Sequence, residues 1–138
     1  MKFLDKDTVL KLLKQDEINH SVVISDPNII DCPMVYVSDE FVSQTGYNVN
    51  EALGKNCRFL QGPETDPNDI QSIRLAIKKK KNITIDILNY KKSGEKFWNR
   101  LRIKPLFDEK GNLIYFAGDQ NPINLEQVRR YNFNKIMD

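Results

Sequence analysis

The stretch ILNYKKSGEKFWNRL, residues 87–101, constrains the fold more than any other part of the chain. A three-residue loop of Lys92, Ser93 and Gly94, with the glycine in the left-handed region, is a common hairpin connection. It pairs Lys91 with Glu95, which sets Asn89 opposite Phe97 and Ile87 opposite Asn99. Strand side chains alternate, so Ile85, Ile87, Asn89, Phe97, Asn99, Leu101 and Ile103 then share one face. A two-residue loop would divide the asparagines between faces. The shared face is apolar except for two carboxamides, and a buried amide without a partner costs about 1–3 kcal/mol. Either the amides bond each other and nearby backbone, or they read a planar ligand that offers both donors and acceptors. The last strand, LIYFAGDQ (residues 113–120), repeats the pattern. There Gln120 aligns with Ile114, Phe116 and Gly118, and the glycine permits close approach. Three amides on apolar faces favour a ligand.

The other face of the hairpin carries Asp86, Arg100, Arg102 and Lys104 together with Leu88, Tyr90 and Trp98. Such a patch suits a docking surface, occupied by a terminal helix or by a second copy of the chain in a homodimer.

The rest of the chain supplies the elements around this sheet. Val9, Leu12 and Leu13 give residues 3–15 the spacing of a short amphipathic helix. SVVIS (21–25) and MVYVS (34–38) read as strands joined by DPNIIDCP. Short helices follow near 39–45 and 49–53, the second with a capping-box pattern at Asn48 and Glu51 and a stop at Gly54. In TDPNDIQSIRLAIKKKK, Asp66 caps a helix, Pro67 suits its first position, and Ile70, Ile73 and Ile77 form one stripe. Arg74 falls on that stripe, and an arginine aimed inward needs an anionic partner. Strands over about 83–91, 97–107 and 113–121 complete the order. The pattern predicts an α+β domain with a five-stranded antiparallel sheet, helices on one face, and flanking terminal helices. Three segments follow: an N-terminal flanking helix (1–20), a core (21–121) and a C-terminal linker helix (122–138).

Composition removes several function classes. The chain has 138 residues and a net charge of +2, enough for one core and no electrostatic case for nucleic acid. Lys78 to Lys81 close a helix, where cations suit the dipole, and read as a solvated face. No apolar run approaches the roughly 18 residues of a membrane span. Two cysteines are too few for a disulfide scaffold and suit a reducing, cytoplasmic setting. Cys32, beside Pro33, reads as structural. His20 is the one histidine and has no neighbouring ligands, so no zinc site or histidine base is expected. GKN after Gly54 fails as a phosphate loop, because Gly46 is eight residues before Gly54 and Asn56 stands where serine or threonine is needed. No kinase, cyclase or DNA-binding motif is present, so no encoded effector is expected.

GKNCRFLQG, residues 54–62, adds chemistry. If 57–61 is helical, Cys57 and Gln61 lie on one face. Arg58 and Arg74 together make a phosphate clamp, since guanidinium binds phosphate bidentately. A thiol, a phosphate clamp and amides for a heterocycle describe a phosphorylated planar cofactor, flavin mononucleotide (FMN) in particular.

At this point three motifs in order carry a resemblance. GKNCRFLQGPETD looks like the signature of the LOV (light, oxygen, voltage) photosensor branch of the PAS fold, NYKKSGEKFWN resembles its second motif, and YFAGDQ its last strand. Together they span roughly residues 21–121. The resemblance implies noncovalent FMN in the dark. By motif position, Cys57 would be the photoreactive thiol, with Asn56 and Gln61 on the ribityl chain or ring. Arg58 and Arg74 would hold the phosphate, Asn89 and Asn99 the pyrimidine edge, and Gln120 would face N5. Leu101 and Gly118 would line the ring. Blue light would add the Cys57 sulfur to the flavin C4a carbon, N5 would gain a proton, and the bond would break again in the dark. Gln120 could answer the change at N5 by rotating, and the flanking helices would carry the signal. One departure is Asp119, where relatives carry an apolar residue; alternation points it away from the ligand. Two rival readings remain: a flavin redox enzyme or electron carrier, and a PAS interaction domain with another ligand or none.

Overall fold

A computed structural model describes residues 1–14 and 21–128. His20 and most of the expected C-terminal helix, including Ile136, lie outside the described residues. Helix α1 (Lys6–Leu12) is capped by Asp5, whose carboxylate accepts from Thr8 N at 2.8 Å. Strands β1 (Ser21–Ser25) and β2 (Met34–Val37) pair antiparallel. Helices α2 (Asp39–Thr45) and α3 (Val49–Ala52), a 3-10 turn η1 (Cys57–Leu60) and helix α4 (Pro67–Lys78) follow. Strands β3 (Ile83–Tyr90), β4 (Lys96–Phe107), β5 (Leu113–Gln120) and β6 (Pro122–Ile123) complete the sheet. Its order is β2-β1-β5-β4-β3, with β6 against β4. Residues 125–128 begin another helix.

The hairpin register is the one its loop demands. Ile87 faces Asn99, Asn89 faces Phe97, and Lys91 N donates to Glu95 O at 2.9 Å. Gly94 has φ +90°, the left-handed conformation that closes such a loop without a Cβ penalty. The sixth strand was not anticipated. Pro122 and Ile123 simply continue the β5 register, opposite Asn99 and Trp98. Proline is tolerated there because Pro122 sits at the start of a two-residue edge segment.

All five residues of β1 are buried, because the strand is covered on both faces. Val22 and Ile24 point to one side with Val9 and Leu13 from α1 and its end, while Val23 points to the other with Met34, Phe41 and Leu60. Thus α1 lies across the outer face, and α2, α3, η1 and α4 cover the inner one. The Leu88–Tyr90–Trp98 patch is half-buried rather than open. The C-terminal helix begins on this side: Val128 is buried, and Gln127 O accepts from Arg100. The terminal segment thus reaches this face at Trp98 and Arg100.

Asp86 and Arg100 lie on the face expected to serve as a docking surface. They sit directly opposite one another and form a two-pronged ion pair at 2.8 and 3.1 Å, with the Asp86 carboxylate buried. Covering the outer face removes water from both, which makes the pairing obligatory.

Tyr90 closes the edge of the sheet. Its hydroxyl accepts from Glu64 N at 3.0 Å, and its ring lies across Gly62, where an added Cβ would come 2.3 Å from Cε1. Thr65 completes the bracket, accepting from Gly62 N and donating to Leu88 O. Gly62→Ala must displace a hydrogen-bonded ring and is expected to cost about 1–3 kcal/mol. Urea unfolding checks this, and an unchanged midpoint would show that the ring moves freely.

Candidate functional site

The inner helices and the sheet enclose a cavity of about 320 Å³, within the range of about 300–1,000 Å³ usual for small-molecule sites. Its walls are apolar: Val23, Leu60, Ile70, Ile73, Ile77, Ile87, Leu101, Ile103 and Phe116. Polar groups stand at its margins, namely Ser25, Cys32, Asn56, Cys57, Arg58, Gln61, Arg74, Lys78, Asn89 and Gln120. Gly118 forms part of the floor, and a Cβ there would meet Val23 at 3.0 Å and Gln120 Nε2 at 3.4 Å.

Cys57 opens the 3-10 turn. Asn56 Oδ1 caps that turn by accepting from Arg58 N at 3.0 Å, and Asn56 Nδ2 donates to Asp31 O at 2.8 Å. The Asn56 amide is therefore spent on backbone at both ends. A 3-10 turn rather than an α-helical one places Gln61 just past the turn, yet Cys57 and Gln61 still reach the same cavity. Ser25 Oγ lies 3.8 Å from Cys57 Sγ. Burial pushes the Cys57 thiol above its usual value, with the Ser25 contact opposing, so the group is a neutral thiol near pH 7.

The three amides converge. Asn99, fully buried, donates through Nδ2 to Asn89 Oδ1 at 3.0 Å and to Gln120 Oε1 at 2.6 Å, and its Oδ1 accepts from Asn121 N at 2.8 Å. Asn89 and Gln120 line the cavity, whereas Asn99 stands behind its wall. Asn99 holds the two amides that line the space.

Both arginines expected to clamp a phosphate line the cavity. Arg58 forms an ion pair with Asp31 through one guanidinium nitrogen, which lowers the Asp31 pKa and raises that of Arg58. Its charge is already answered. Arg74 lies on α4, a helix with no buried residue, so the isoleucine stripe faces the cavity rather than a packed core. No carboxylate among the described residues pairs with Arg74. Lys78, read as solvated, stands one turn further along the same helix at the cavity wall. Cys32, read as structural, also lines the cavity. Neither was legible locally, because each depends on where a distant segment packs.

Asp119 points outward as alternation requires. It lies opposite Arg102 and beside Leu13 and Val22 on the outer face. Its Oδ1 is buried without a hydrogen-bond partner among the described residues. No group of three or more potential metal ligands occurs among the described residues, and no helix there is long and apolar enough to cross a membrane.

These features define an α+β domain with an antiparallel sheet and an apolar cavity under its helices. The PAS domain family matches residues 19–118. The chain belongs to that family, in its light-oxygen-voltage branch. It is 50% identical over 105 residues to phototropin-2 of Oryza sativa subsp. japonica, covering 76% of this chain and 12% of that protein. It is 47% identical over 105 residues to a blue-light-activated histidine kinase of Brucella anthropi, covering 76% and 21%. The chain thus spans a small part of the curated relatives it matches. Among solved structures, the dark form of the Aureochrome1 LOV photoreceptor superposes with a TM-score of 0.83 at 37% identity, covering 100% of this chain and 99% of that one. A light-oxygen-voltage domain studied through a flavin analogue gives 0.85 at 40% identity over 95% of each chain.

Asn99→Leu would orphan Asn89 Oδ1, Gln120 Oε1 and Asn121 N, at about 1–3 kcal/mol for each group that stays buried. Chemical denaturation of this variant, even without ligand, should show a clear loss of stability. Wild-type stability would mean that water or rotation replaces all three bonds.

Proposed function

We propose that the chain is a blue-light sensory module that binds FMN in the inner cavity and uses Cys57 as its photoreactive thiol. One observation carries this reading: a neutral, half-buried thiol, a cluster of amides and two unanswered cations stand around one apolar cavity. The residues suit the cofactor, with apolar walls for a flat ring, Asn89 and Gln120 for its polar edge, and Arg74 and Lys78 for a phosphate. Bound flavin supplies absorption of blue light and a ring carbon to which a thiol can add.

The chain's own groups do the rest. The surrounding apolar side chains hold the Cys57 proton on sulfur until light acts, with the Ser25 contact opposing them. Asn56 fixes the turn that aims the thiol. Gln120 offers an amide that serves as donor or acceptor according to its rotation, at the cost of its bond from Asn99 Nδ2. The core at 21–121 carries the site, and the segments at 1–20 and 122–138 carry output to an effector or partner. Such output parts lie in the remaining length of relatives like the histidine kinase, and the kinase activity belongs to that relative.

An absorption spectrum in the dark, after blue light and during recovery tests this reading. A flavin band that bleaches and returns is expected, and Cys57→Ala should keep the flavin while abolishing bleaching. A bound flavin that never bleaches would favour redox use. A colourless protein that FMN cannot reconstitute would remove the assignment.

The phosphate reading has its own test. A charge-assisted hydrogen bond is worth about 1.5–3 kcal/mol, so Arg74→Ala and Lys78→Ala are each expected to weaken FMN about tenfold or more. Riboflavin, which lacks the phosphate, should bind the variants as it binds the parent chain. Equal losses for both ligands, measured by fluorescence titration, would place the phosphate elsewhere.

A further inference from the structure

Two cysteines face the same cavity from neighbouring segments. Around Cys32, Asp31 O accepts from Asn56 Nδ2 at 2.8 Å and the Asp31 carboxylate pairs with Arg58. Further along, Met34 N donates to Lys55 O at 2.8 Å and Gly54 N to Met34 O at 2.9 Å. Residues 31–34 therefore run pinned against 54–58 on both sides of the two thiols. A disulfide needs Cα atoms within about 7 Å and Cβ atoms turned toward each other, and the two cysteines line one cavity from hydrogen-bonded neighbouring segments. Electrostatics agree with this proximity: burial, Cys57 and the carboxylates of Asp26 and Asp31 push the Cys32 thiol up to about 12.

The backbone singles Cys32 out as well. Asp31 and Cys32 both have positive φ, 69° and 45°. Asparagine or aspartate adopts that region at less cost than cysteine. A cysteine held there is strained, and strain of this kind gathers at functional sites.

We propose that Cys32 and Cys57 form a reversible disulfide that gates the site by oxidation. The oxidant is a small disulfide such as oxidised glutathione. Burial raises the pKa of both thiols, so the exchange is run at alkaline pH, where one protein thiol ionises and as thiolate attacks a sulfur of the oxidant. A mixed disulfide forms and one glutathione thiol leaves. The second protein thiol displaces the other glutathione, closing the Cys32–Cys57 bond. Two protein thiols lose two electrons and two protons, and the oxidant becomes two thiols. The consequence for light sensing rests on the proposed role of Cys57, since a sulfur held in a disulfide has no thiol to give; the cross-link itself does not rest on that role.

The test treats the full chain with oxidised glutathione, in the dark, and follows it by intact mass, peptide mapping and flavin bleaching. The expected product has lost two hydrogens and yields a peptide joining Cys32 to Cys57. Bleaching should fall in proportion to that product and return with dithiothreitol. Cys32→Asn suits the left-handed backbone and should fold; the same treatment should give it only whole glutathione adducts and no joined peptide. Wild-type protein that shows free thiols or glutathione adducts alone overturns the proposal. Reduced protein that binds flavin without bleaching, yet still forms the joined peptide, overturns the photochemical reading and leaves the cross-link standing.

Discussion

A carboxamide buried away from water must find partners for both its ends, and Asn99 does so on three sides. The sheet register makes this feasible. Asn99 is diagonal to Asn89 across β3 and β4, and diagonal to Gln120 across β4 and β5, so one amide reaches both neighbours on the same face. Its NH2 group has two hydrogens and gives one to each. Its oxygen takes the Asn121 N–H. A shift of register by one residue would turn all of these side chains to the other face. The amide cluster thereby makes one register far better than its neighbours, and the same register places Gly118, Leu101 and Ile87 around the cavity.

Charge around the cavity follows a similar economy. Arg58 sits closer in sequence to the thiol than any other cation, but Asp31 engages it at the surface. That pair and the Asn56 cap tie the cysteine turn to the loop before β2. Arg58 therefore shapes the wall more than it offers charge to a ligand. Arg74 and Lys78, a turn apart on α4, stand exposed at the cavity margin with no carboxylate partner among the described residues. Because α4 buries no residue, its position depends on its ends: Asp66 and the Thr65–Tyr90 bracket at its start, and the crossover into β3 at its finish. A helix anchored by its ends over an apolar space is the part of the inner layer best able to adjust to what the space holds.

Most of the sheet was legible because it is local. The hairpin loop sets its own register, and alternation then assigns each side chain to a face. Helix α4 announced itself through Asp66, Pro67 and an isoleucine stripe, although that stripe faces a cavity and periodicity cannot separate a cavity from a core. The cysteine motif located one wall of the site. Cys32 and Lys78 also line the cavity, which local sequence does not show. Local sequence shows a loop cysteine before proline and a lysine at a helix end, both ordinary; only the packing of residues 31–34 against 54–58, and of α4 over the sheet, gives them their place. The Asp86–Arg100 pair was hidden the same way, since its burial depends on what covers the outer face.

That pair joins the inner face to the outer one. Arg100 N donates to Asn121 O at 2.7 Å, and Asn121 Nδ2 donates to Arg100 O at 3.1 Å, so both backbone groups of Arg100 are held by the residue whose N–H the Asn99 amide accepts. The Arg100 guanidinium grips Asp86 and also reaches Gln127 O at the start of the C-terminal helix. Gln120, Asn121 and Arg100 are thus consecutive points on one hydrogen-bonded path from the cavity to that helix. Rotation of Gln120 withdraws Oε1 from Asn99 Nδ2, which frees a donor inside an apolar wall. A buried donor does not stay unmatched at low cost, so Asn99 must turn or the backbone at Asn121 must follow. Either response acts on the backbone partner of Arg100, whose guanidinium bonds the outgoing segment at Gln127 O. The path's stiffness therefore resides in the Asp86–Arg100 pair, because a guanidinium fixed at both nitrogens by a buried carboxylate transmits a backbone shift where a solvated one would absorb it.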